Sequence, residues 1–244
     1  MQYDLIPDQN NDNLSQVIAH SHNDYEQTCP LTKALALGFT SIEVDIFPYK
    51  ETIVVSHDDD LLDVKPTIQL LYLDPLKDIV QRTDQKINLL VDLKVYNDNF
   101  LNQLHTLLKN YDDILITRTD TSKNVKIILS GKLPRKEIVQ NEMYNFFFLD
   151  GRLTDLGKDI DSNTMPLISA NFSDIFDVKP SQVLTTAELE TLITDIQRTH
   201  DEGKIIRFWN TSDNDVMWSQ LIESGVDVIG VDHLEEYHEF ISGQ

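Results

Sequence analysis

The segment "TSIEVDIF", residues 40–47, alternates apolar and acidic side chains along its centre. Ile42, Val44 and Ile46 share one parity, whereas Glu43 and Asp45 share the other. Because successive side chains of a β-strand point to opposite faces, the apolar residues are predicted to pack against helices. The two acids are then expected to point into a barrel interior, near the carboxyl end of the strand.

Polar side chains recur in the same way on other predicted strands. The segment "INLLVDLK", residues 87–94, directs Leu89, Val91 and Leu93 to one face and Asp92 and Lys94 to the other. Further polar residues lie at the ends of other predicted strands. The first strand ends in His20 and His22, the fifth in Asp150 and Arg152, and the seventh in Arg207 and Trp209. A single acid at a strand end usually caps a turn. Capping does not explain why the polar residues of several strands all occupy the positions that face the barrel interior. The pattern therefore predicts one polar site at the carboxyl ends of the strands.

Eight short apolar segments alternate with helical patterns along the 244 residues. This alternation is typical of an α/β protein, and it predicts a single (β/α)₈ TIM barrel. We expect one domain over residues 1–244, with an irregular amino-terminal segment at residues 1–14. The helical patterns are weakest between the fourth and sixth strands, and a doubly wound open sheet is the structural alternative.

The charge of the chain restricts the classes of partner. Acidic residues number 41 and basic residues 20, so the formal charge is −21. Such a surface repels nucleic acid, and we expect no nucleic-acid partner. Cys29 is the only cysteine, which excludes an intramolecular disulfide and a cysteine-based zinc site. Without a signal-peptide pattern or an apolar run of ~20 residues, we expect a cytoplasmic protein with no stable membrane insertion, or a secreted one if a leader was removed.

The predicted polar site has the composition of a metal-dependent phosphodiesterase. Glu43, Asp45 and Asp92 would supply hard oxygen ligands for one divalent cation, Mg²⁺ or Ca²⁺. His57 follows the short apolar segment "TIVVS", and two imidazoles beside a metal can share general acid and base catalysis. The cations that could neutralise a phosphate are Lys94, Arg152 and Arg207. The rings of Tyr25 and Trp209 would either stack on a substrate or pack at the barrel mouth.

Several motifs of the chain resemble one known superfamily, the phosphatidylinositol-phospholipase-C-like (PLC-like) phosphodiesterases. It includes glycerophosphodiester phosphodiesterases and sphingomyelinase-D-like phospholipases, and the pattern is most like the branch of altered inheritance of mitochondria protein 6 and its bacterial relatives. The matching segments are His22–Tyr25, Pro30–Asp45, His57–Asp58, Leu71–Leu76, Asp150–Leu156, Arg207–Trp209 and Asp232–His233.

The resemblance implies a (β/α)₈ barrel that binds one divalent cation. Glu43, Asp45 and Asp92 match the metal ligands, and His57 matches one catalytic histidine. The second catalytic histidine is His20 or His22, and the motif leaves this choice open. The substrate would be a small phosphodiester, either a glycerophosphodiester or a (lyso)phospholipid-like diester. An internal hydroxyl of the substrate could attack first and give a cyclic phosphate.

The chain also departs from the family pattern. Glycerophosphodiesterases carry His-Arg-Gly on the first strand and Glu-x-Lys on the third, whereas this chain has His-Ser-His and Asp92-Leu93-Lys94. Two other functions therefore stay open. One is a His-x-His metallohydrolase of the PHP or amidohydrolase type, and the other is a non-catalytic barrel that binds a phosphorylated ligand. The head group of the substrate and the oligomeric state do not follow from the sequence.

Overall fold

The computed structural model of the chain describes residues 17–177 and 182–243. The predicted irregular segment at residues 1–14 lies outside these residues. Residues 23–36 and 40–149 form one compact unit, and a second unit comprises the described parts of residues 1–22, 37–39 and 150–244. The prediction of a single domain over residues 1–244 stays a prediction.

Nine strands are present in the described residues. They are β1 (Ile18–Ser21), β2 (Ser41–Tyr49), β3 (Thr52–Val55), β4 (Ile87–Leu93), β5 (Val125–Gly131), β6 (Phe147–Gly151), β7 (Leu167–Asn171), β8 (Ile205–Trp209) and β9 (Val228–Val231). All neighbouring strands pair in parallel except β3, which forms an antiparallel hairpin with β2. The order of the parallel strands is that of a (β/α)₈ barrel, so the predicted fold class is confirmed.

The described helices follow most of the strands. They are α1 (Thr32–Ala36), α2 (Asp74–Val80), α3 (Asp98–Leu108), α4 (Arg135–Gln140), α5 (Phe172–Ile175), α6 (Thr186–His200), α7 (Asp215–Glu223) and α8 (Leu234–Ser242). Residues 152–166, between β6 and β7, contain a 3₁₀ turn at Leu153–Asp155 and no α-helix. The weak helical patterns predicted in the middle of the chain therefore correspond to a shortened connection.

Helix α3 shows how local sequence produces the outer layer. The side chain of Asn97 accepts a hydrogen bond from the backbone N–H of Phe100 at 2.9 Å and thereby caps the first turn. Phe100, Leu104 and Leu108 recur at four-residue spacing and are buried, which fixes the inward face of the helix. No helix within the described residues combines the length and apolarity that crossing a membrane requires.

The inner strands of the first unit are buried on both faces. Ile42, Val44 and Ile46 of β2 have no exposed surface, and Leu89 and Leu93 of β4 likewise. The register of β2 and β4 sets Asp45 beside Asp92. Because side chains alternate along each strand, these two acids lie on the face opposite the apolar residues. The fold thus brings two of the predicted polar residues to neighbouring positions.

Candidate active site

Three carboxylates of the first unit form a compact cluster. Glu43 and Asp45 lie on β2 and are buried, and Asp92 lies near the end of β4 and is half-buried. One carboxylate oxygen of each residue lies within 4.8 Å of the others. The three predicted metal ligands are therefore close enough to coordinate a single ion.

The carboxylate of Asp45 has two oxygens with different surroundings. Oδ2 accepts hydrogen bonds from the Tyr25 hydroxyl at 2.7 Å and from Nδ1 of His57 at 2.8 Å. It also forms an ion pair with Nζ of Lys94 at 2.7 Å. Oδ1 is buried and has no hydrogen-bond partner among the described residues. A buried carboxylate oxygen of this kind fits a metal ligand, because an unsatisfied acceptor in the interior is costly.

The electrostatics of the cluster also fit a divalent cation. Burial raises the pKa of Asp92, and the charges of Asp45 and Glu43 raise it further, although Lys94 at 3.4 Å acts in the opposite direction. Burial lowers the pKa of Lys94, but its hydrogen bond to Asp45 and the charge of Asp92 outweigh that effect and raise it. Lys94 brings a single positive charge to three acids. Hard oxygen ligands with an excess of negative charge are typical of Mg²⁺ and Ca²⁺ sites.

His57 lies just after β3, at the edge of an open pocket. Its Nδ1 atom contacts Oδ2 of Asp45, which favours the tautomer with the proton on Nδ1 and an acceptor at Nε2. The ring is about half-exposed, with 54% of its side-chain surface accessible. A pocket of about 420 Å³ adjoins it, and Tyr25, Asp58 and Lys65 are among its lining residues. This arrangement suits proton exchange with a bound molecule.

In the second unit, His20 has the surroundings of a core residue. It lies on β1 with no exposed surface, and its Nε2 atom is 2.5 Å from Nη1 of Arg207 on β8. Since a guanidinium only donates, Nε2 of His20 accepts this hydrogen bond. The Nε atom of Arg207 also donates to the Ser169 hydroxyl at 3.2 Å. The pair is buried, and the His20 ring orients the guanidinium.

His22 lies beyond the end of β1 and has a different partner. Its Nδ1 atom lies 2.8 Å from Oδ1 of Asp232, and a third of its side chain is exposed. Asp232 follows β9, and its backbone N–H donates to Oδ2 of Asp213 at 2.9 Å. A histidine with a carboxylate on Nδ1 is oriented for acid or base chemistry at Nε2.

The other predicted phosphate-binding residues lie at the ends of β6 and β8. Nη1 of Arg152 donates to Oδ2 of Asp150 at 2.8 Å and to the carbonyl of Gly151 at 2.9 Å. Trp209 ends β8 and is 37% exposed, so its ring does not belong to the core. Neither residue belongs to the carboxylate cluster.

The His-x-His arrangement does not form a metal pair in this structure. His20 contacts Arg207, whereas His22 contacts Asp232. Among the described residues, the single group of acids and histidines close enough to hold an ion consists of carboxylates alone. This geometry disfavours a PHP or amidohydrolase type of site, which requires several histidines on the metal.

Tyr25 has a role that the sequence reasoning missed. A stacking or packing function was expected for its ring, but its hydroxyl contacts Asp45 and lies 3.3 Å from Nδ1 of His57. The motif "HNDY" was the available signal, because it places Tyr25 three residues after His22. Nothing in that spacing specifies a hydrogen bond to a residue 20 positions later.

Sequence comparisons identify relatives over most of the chain. The model of the AIM6-like phosphodiesterase domain matches residues 8–87. The altered inheritance of mitochondria protein 6 homolog of Arthroderma benhamiae is 25% identical over 87% of this chain and 80% of its own length. The altered inheritance of mitochondria protein 6 of Eremothecium gossypii is also 25% identical, over 91% of this chain and 68% of its own length.

Solved structures with the same fold are more distant in sequence. A glycerophosphodiester phosphodiesterase from Agrobacterium tumefaciens matches with a TM-score of 0.58 and 14% identity, over 93% of this chain and 99% of its own. The phosphatidylinositol-specific phospholipase C of Listeria monocytogenes matches with a TM-score of 0.51 and 12% identity, over 95% of this chain and 94% of its own. A tryptophan synthase α-subunit from Pyrococcus furiosus matches with a TM-score of 0.57 and 13% identity, over 93% of this chain and 97% of its own. At these identities the similarity shows the fold alone.

Proposed function

We propose that this chain, which is similar to the AIM6-like phosphodiesterase domain over residues 8–87, is a metal-dependent phosphoric diester hydrolase. Glu43, Asp45 and Asp92 would hold one divalent cation, Mg²⁺ or Ca²⁺. The observation that carries the proposal is that Asp45, a member of the carboxylate cluster, has a buried Oδ1 atom without a hydrogen-bond partner in the described residues.

The reaction is the exchange of one P–O bond of a diester for another. The bound cation would neutralise charge on the phosphoryl oxygens as the attacking oxygen approaches phosphorus. Lys94 provides a second, fixed positive charge beside Asp45 and Asp92. Its two carboxylate contacts orient the ammonium group before substrate binds, so little reorganisation is needed during the reaction.

His57 is proposed as one of the two acid–base residues. With Nδ1 bonded to Asp45, the Nε2 atom would take a proton from the attacking hydroxyl or give one to the leaving oxygen. The exposed side of the ring and the adjoining pocket support access of a substrate to Nε2.

His22 is proposed for the other acid–base role, in preference to His20. The Asp232 carboxylate holds Nδ1 of His22 and supports the charged ring that forms when Nε2 takes a proton. His20 is buried and accepts a hydrogen bond from Arg207, so protonation of its Nε2 atom would break that contact. Its role is to orient the guanidinium of Arg207.

The proposed substrate is a small phosphodiester, either a glycerophosphodiester or a (lyso)phospholipid-like diester. Water attacks in direct hydrolysis, whereas an internal hydroxyl attacks first when a cyclic phosphate forms. Lys94, Arg152 and Arg207 are proposed to contact the phosphate, and Trp209 the rest of the substrate. We also propose that the protein has no nucleic-acid partner, because its acidic surface opposes binding to polyanions. A cytoplasmic location without stable membrane insertion is part of the same proposal.

Turnover of bis-(p-nitrophenyl) phosphate and of a panel of glycerophosphodiesters and lysophospholipids tests this function. The assays use Mg²⁺, Ca²⁺, Zn²⁺ or EDTA and compare wild type with His57→Ala. A matched control is His238→Ala, since His238 on α8 contacts the backbone carbonyl of Leu37. We expect metal-dependent turnover that His57→Ala loses and the control retains. Metal binding without turnover of any diester would instead support a non-catalytic binding protein.

A further inference from the structure

Asp24 of the motif "HNDY" contacts Tyr72 of the motif "LYLDPL" within the first unit. The Tyr72 hydroxyl donates to Oδ2 of Asp24 at 2.9 Å, and the backbone N–H of Leu31 donates to the same oxygen at 2.5 Å. Asp24 and Tyr72 have no exposed surface. Because both groups are buried, this contact persists only if the segment that follows β1 keeps one conformation.

The backbone around Asp24 is held in a form that few sequences adopt freely. Asn23 and Leu31 have φ angles of 45° and 60°, in the left-handed region. A residue such as Leu31 enters that region at a cost, so surrounding contacts must maintain it. Tyr72 belongs to a π-helical turn, Gln69–Leu73, that continues into α2. Such turns are rare and are frequently found at functional sites.

Tyr25 is the residue that this anchored segment presents to the carboxylate cluster. It directly follows Asp24, and its hydroxyl donates to Oδ2 of Asp45 at 2.7 Å. A tyrosine phenol carries its proton near neutral pH, so beside the Asp45 carboxylate it is a hydrogen-bond donor. It is neutral, and it therefore orients Asp45 without adding a positive charge that would compete with a metal ion.

We propose that Tyr25 is a positioning residue for the metal site, and that the Asp24–Tyr72 hydrogen bond holds it in place. The inference rests on the proposed function and deepens it. Tyr25 fixes the rotation of the Asp45 carboxylate so that Oδ2 contacts His57 and Lys94, which leaves the buried Oδ1 atom available to a cation. A stiff ring does this better than the other two donors, because Lys94 has a flexible stem and the His57 ring is half-exposed.

The test compares Tyr25→Phe with wild type and with Tyr111→Phe. The control also loses a tyrosine–aspartate hydrogen bond, since the Tyr111 hydroxyl donates to Oδ1 of Asp74 at 2.6 Å. Mn²⁺ binding is measured by calorimetry and by the electron paramagnetic resonance spectrum of bound Mn²⁺, and thermal unfolding is recorded without metal. Second-sphere partners of metal ligands typically change affinity by ~10–100-fold, and we expect a weakening of that size for Tyr25→Phe but not for Tyr111→Phe.

The outcomes separate the two proposals. A wild-type protein that binds no Mn²⁺ would overturn the metal site and this inference with it. Wild-type binding that Tyr25→Phe leaves unchanged in affinity and spectrum would overturn the positioning role alone. If Tyr25→Phe lowers the unfolding temperature, and Tyr25→Phe and Tyr111→Phe weaken Mn²⁺ binding equally, the role of Tyr25 is merely structural and the inference fails. Tyr72→Phe should also weaken Mn²⁺ binding, since it removes one of the two hydrogen bonds that Oδ2 of Asp24 accepts from Tyr72 and Leu31.

Discussion

His22 and Asp232 are 210 positions apart in the sequence, and their side chains meet at 2.8 Å between Nδ1 and Oδ1. This contact distinguishes His22 from His20, because the ring of His20 is buried against Arg207. One histidine thus has the surroundings of an acid–base group and the other those of a structural residue.

Substitution of the two histidines should therefore have different effects. His22→Ala should lower kcat by ~10²–10⁴-fold, the usual contribution of a general acid or base, with little change in unfolding. His20→Ala should lower the free energy of unfolding by about 1–3 kcal/mol, because it removes an acceptor from a buried guanidinium. Diester turnover and urea unfolding measure both effects. His233→Ala, a neighbouring histidine with an exposed side chain, is the control, and the reverse assignment of effects would contradict the prediction.

Asp92→Asn should separate metal binding from folding. The substitution keeps the shape of the side chain but removes one of three carboxylate charges within 4.8 Å, so the metal-free protein should be as stable as wild type or slightly more. At a metal concentration 100 times Kd, the free energy of unfolding of wild type should rise by about 2.7 kcal/mol. The variant should show little of this metal-induced rise. Thermal unfolding with and without Mg²⁺ or Ca²⁺ tests this. An equal metal-induced gain in both proteins would exclude Asp92 as a ligand.

Gly131→Ala should disturb the metal site from the neighbouring strand. Gly131 ends β5 with a φ of +77°, and a Cβ there would lie 2.5 Å from the carbonyl oxygen of Leu93 and 2.6 Å from Oδ1 of Asp92. Both backbone strain and this overlap destabilise the variant, by about 1–3 kcal/mol in urea unfolding, and Mn²⁺ affinity should fall because Asp92 must move. Gly157→Ala is the control, since Gly157 also has a positive φ, +82°, but a Cβ added there would meet no neighbouring side chain or backbone within 4 Å. Equal effects of the two substitutions on Mn²⁺ binding would refute the steric explanation.

Lys126→Met should stabilise the protein near neutral pH. Burial lowers the pKa of Lys126 to about 8 from its ordinary 10.5, although the ammonium lies 4.9 Å from the centre of the Phe148 ring. The folded state thus binds fewer protons than the unfolded state between these values, and wild-type stability rises with pH through this window. At pH 7 the variant should be more stable by about 1–3 kcal/mol, discounted for partial exposure, and the difference should shrink toward pH 10.

Urea unfolding at pH 7 and pH 10 measures the effect of Lys126→Met. The exposed residue Lys132, just beyond β5, provides the control substitution Lys132→Met, which should change stability by less than about 0.5 kcal/mol. A Lys126→Met variant that is less stable than wild type at pH 7 would contradict a desolvated lysine at this position.

The strands were predicted well because their signal is local. The segment "INLLVDLK", residues 87–94, was predicted as a strand and is observed as Ile87–Leu93. Connections were predicted less well. Helix α2 is preceded by a π-helical turn at Gln69–Leu73, and α6 ends at His200 although the next glycine is Gly203. Helix ends depend on which carbonyl groups find partners, and hydrophobic periodicity does not encode that.

The sequence by itself determined the fold class and the parity of the polar residues on each strand. Parity follows from the two-residue period of a strand, so Glu43 and Asp45 had to share a face wherever that strand lies. Only the tertiary structure decided the partners: Tyr25 for Asp45, Arg207 for His20 and Asp232 for His22. These pairs join segments 20 to 210 residues apart, and strand register, turn conformation and side-chain packing set their distances together. Residue types and their spacing thus specified which groups are present, whereas the packed structure specified which atoms touch.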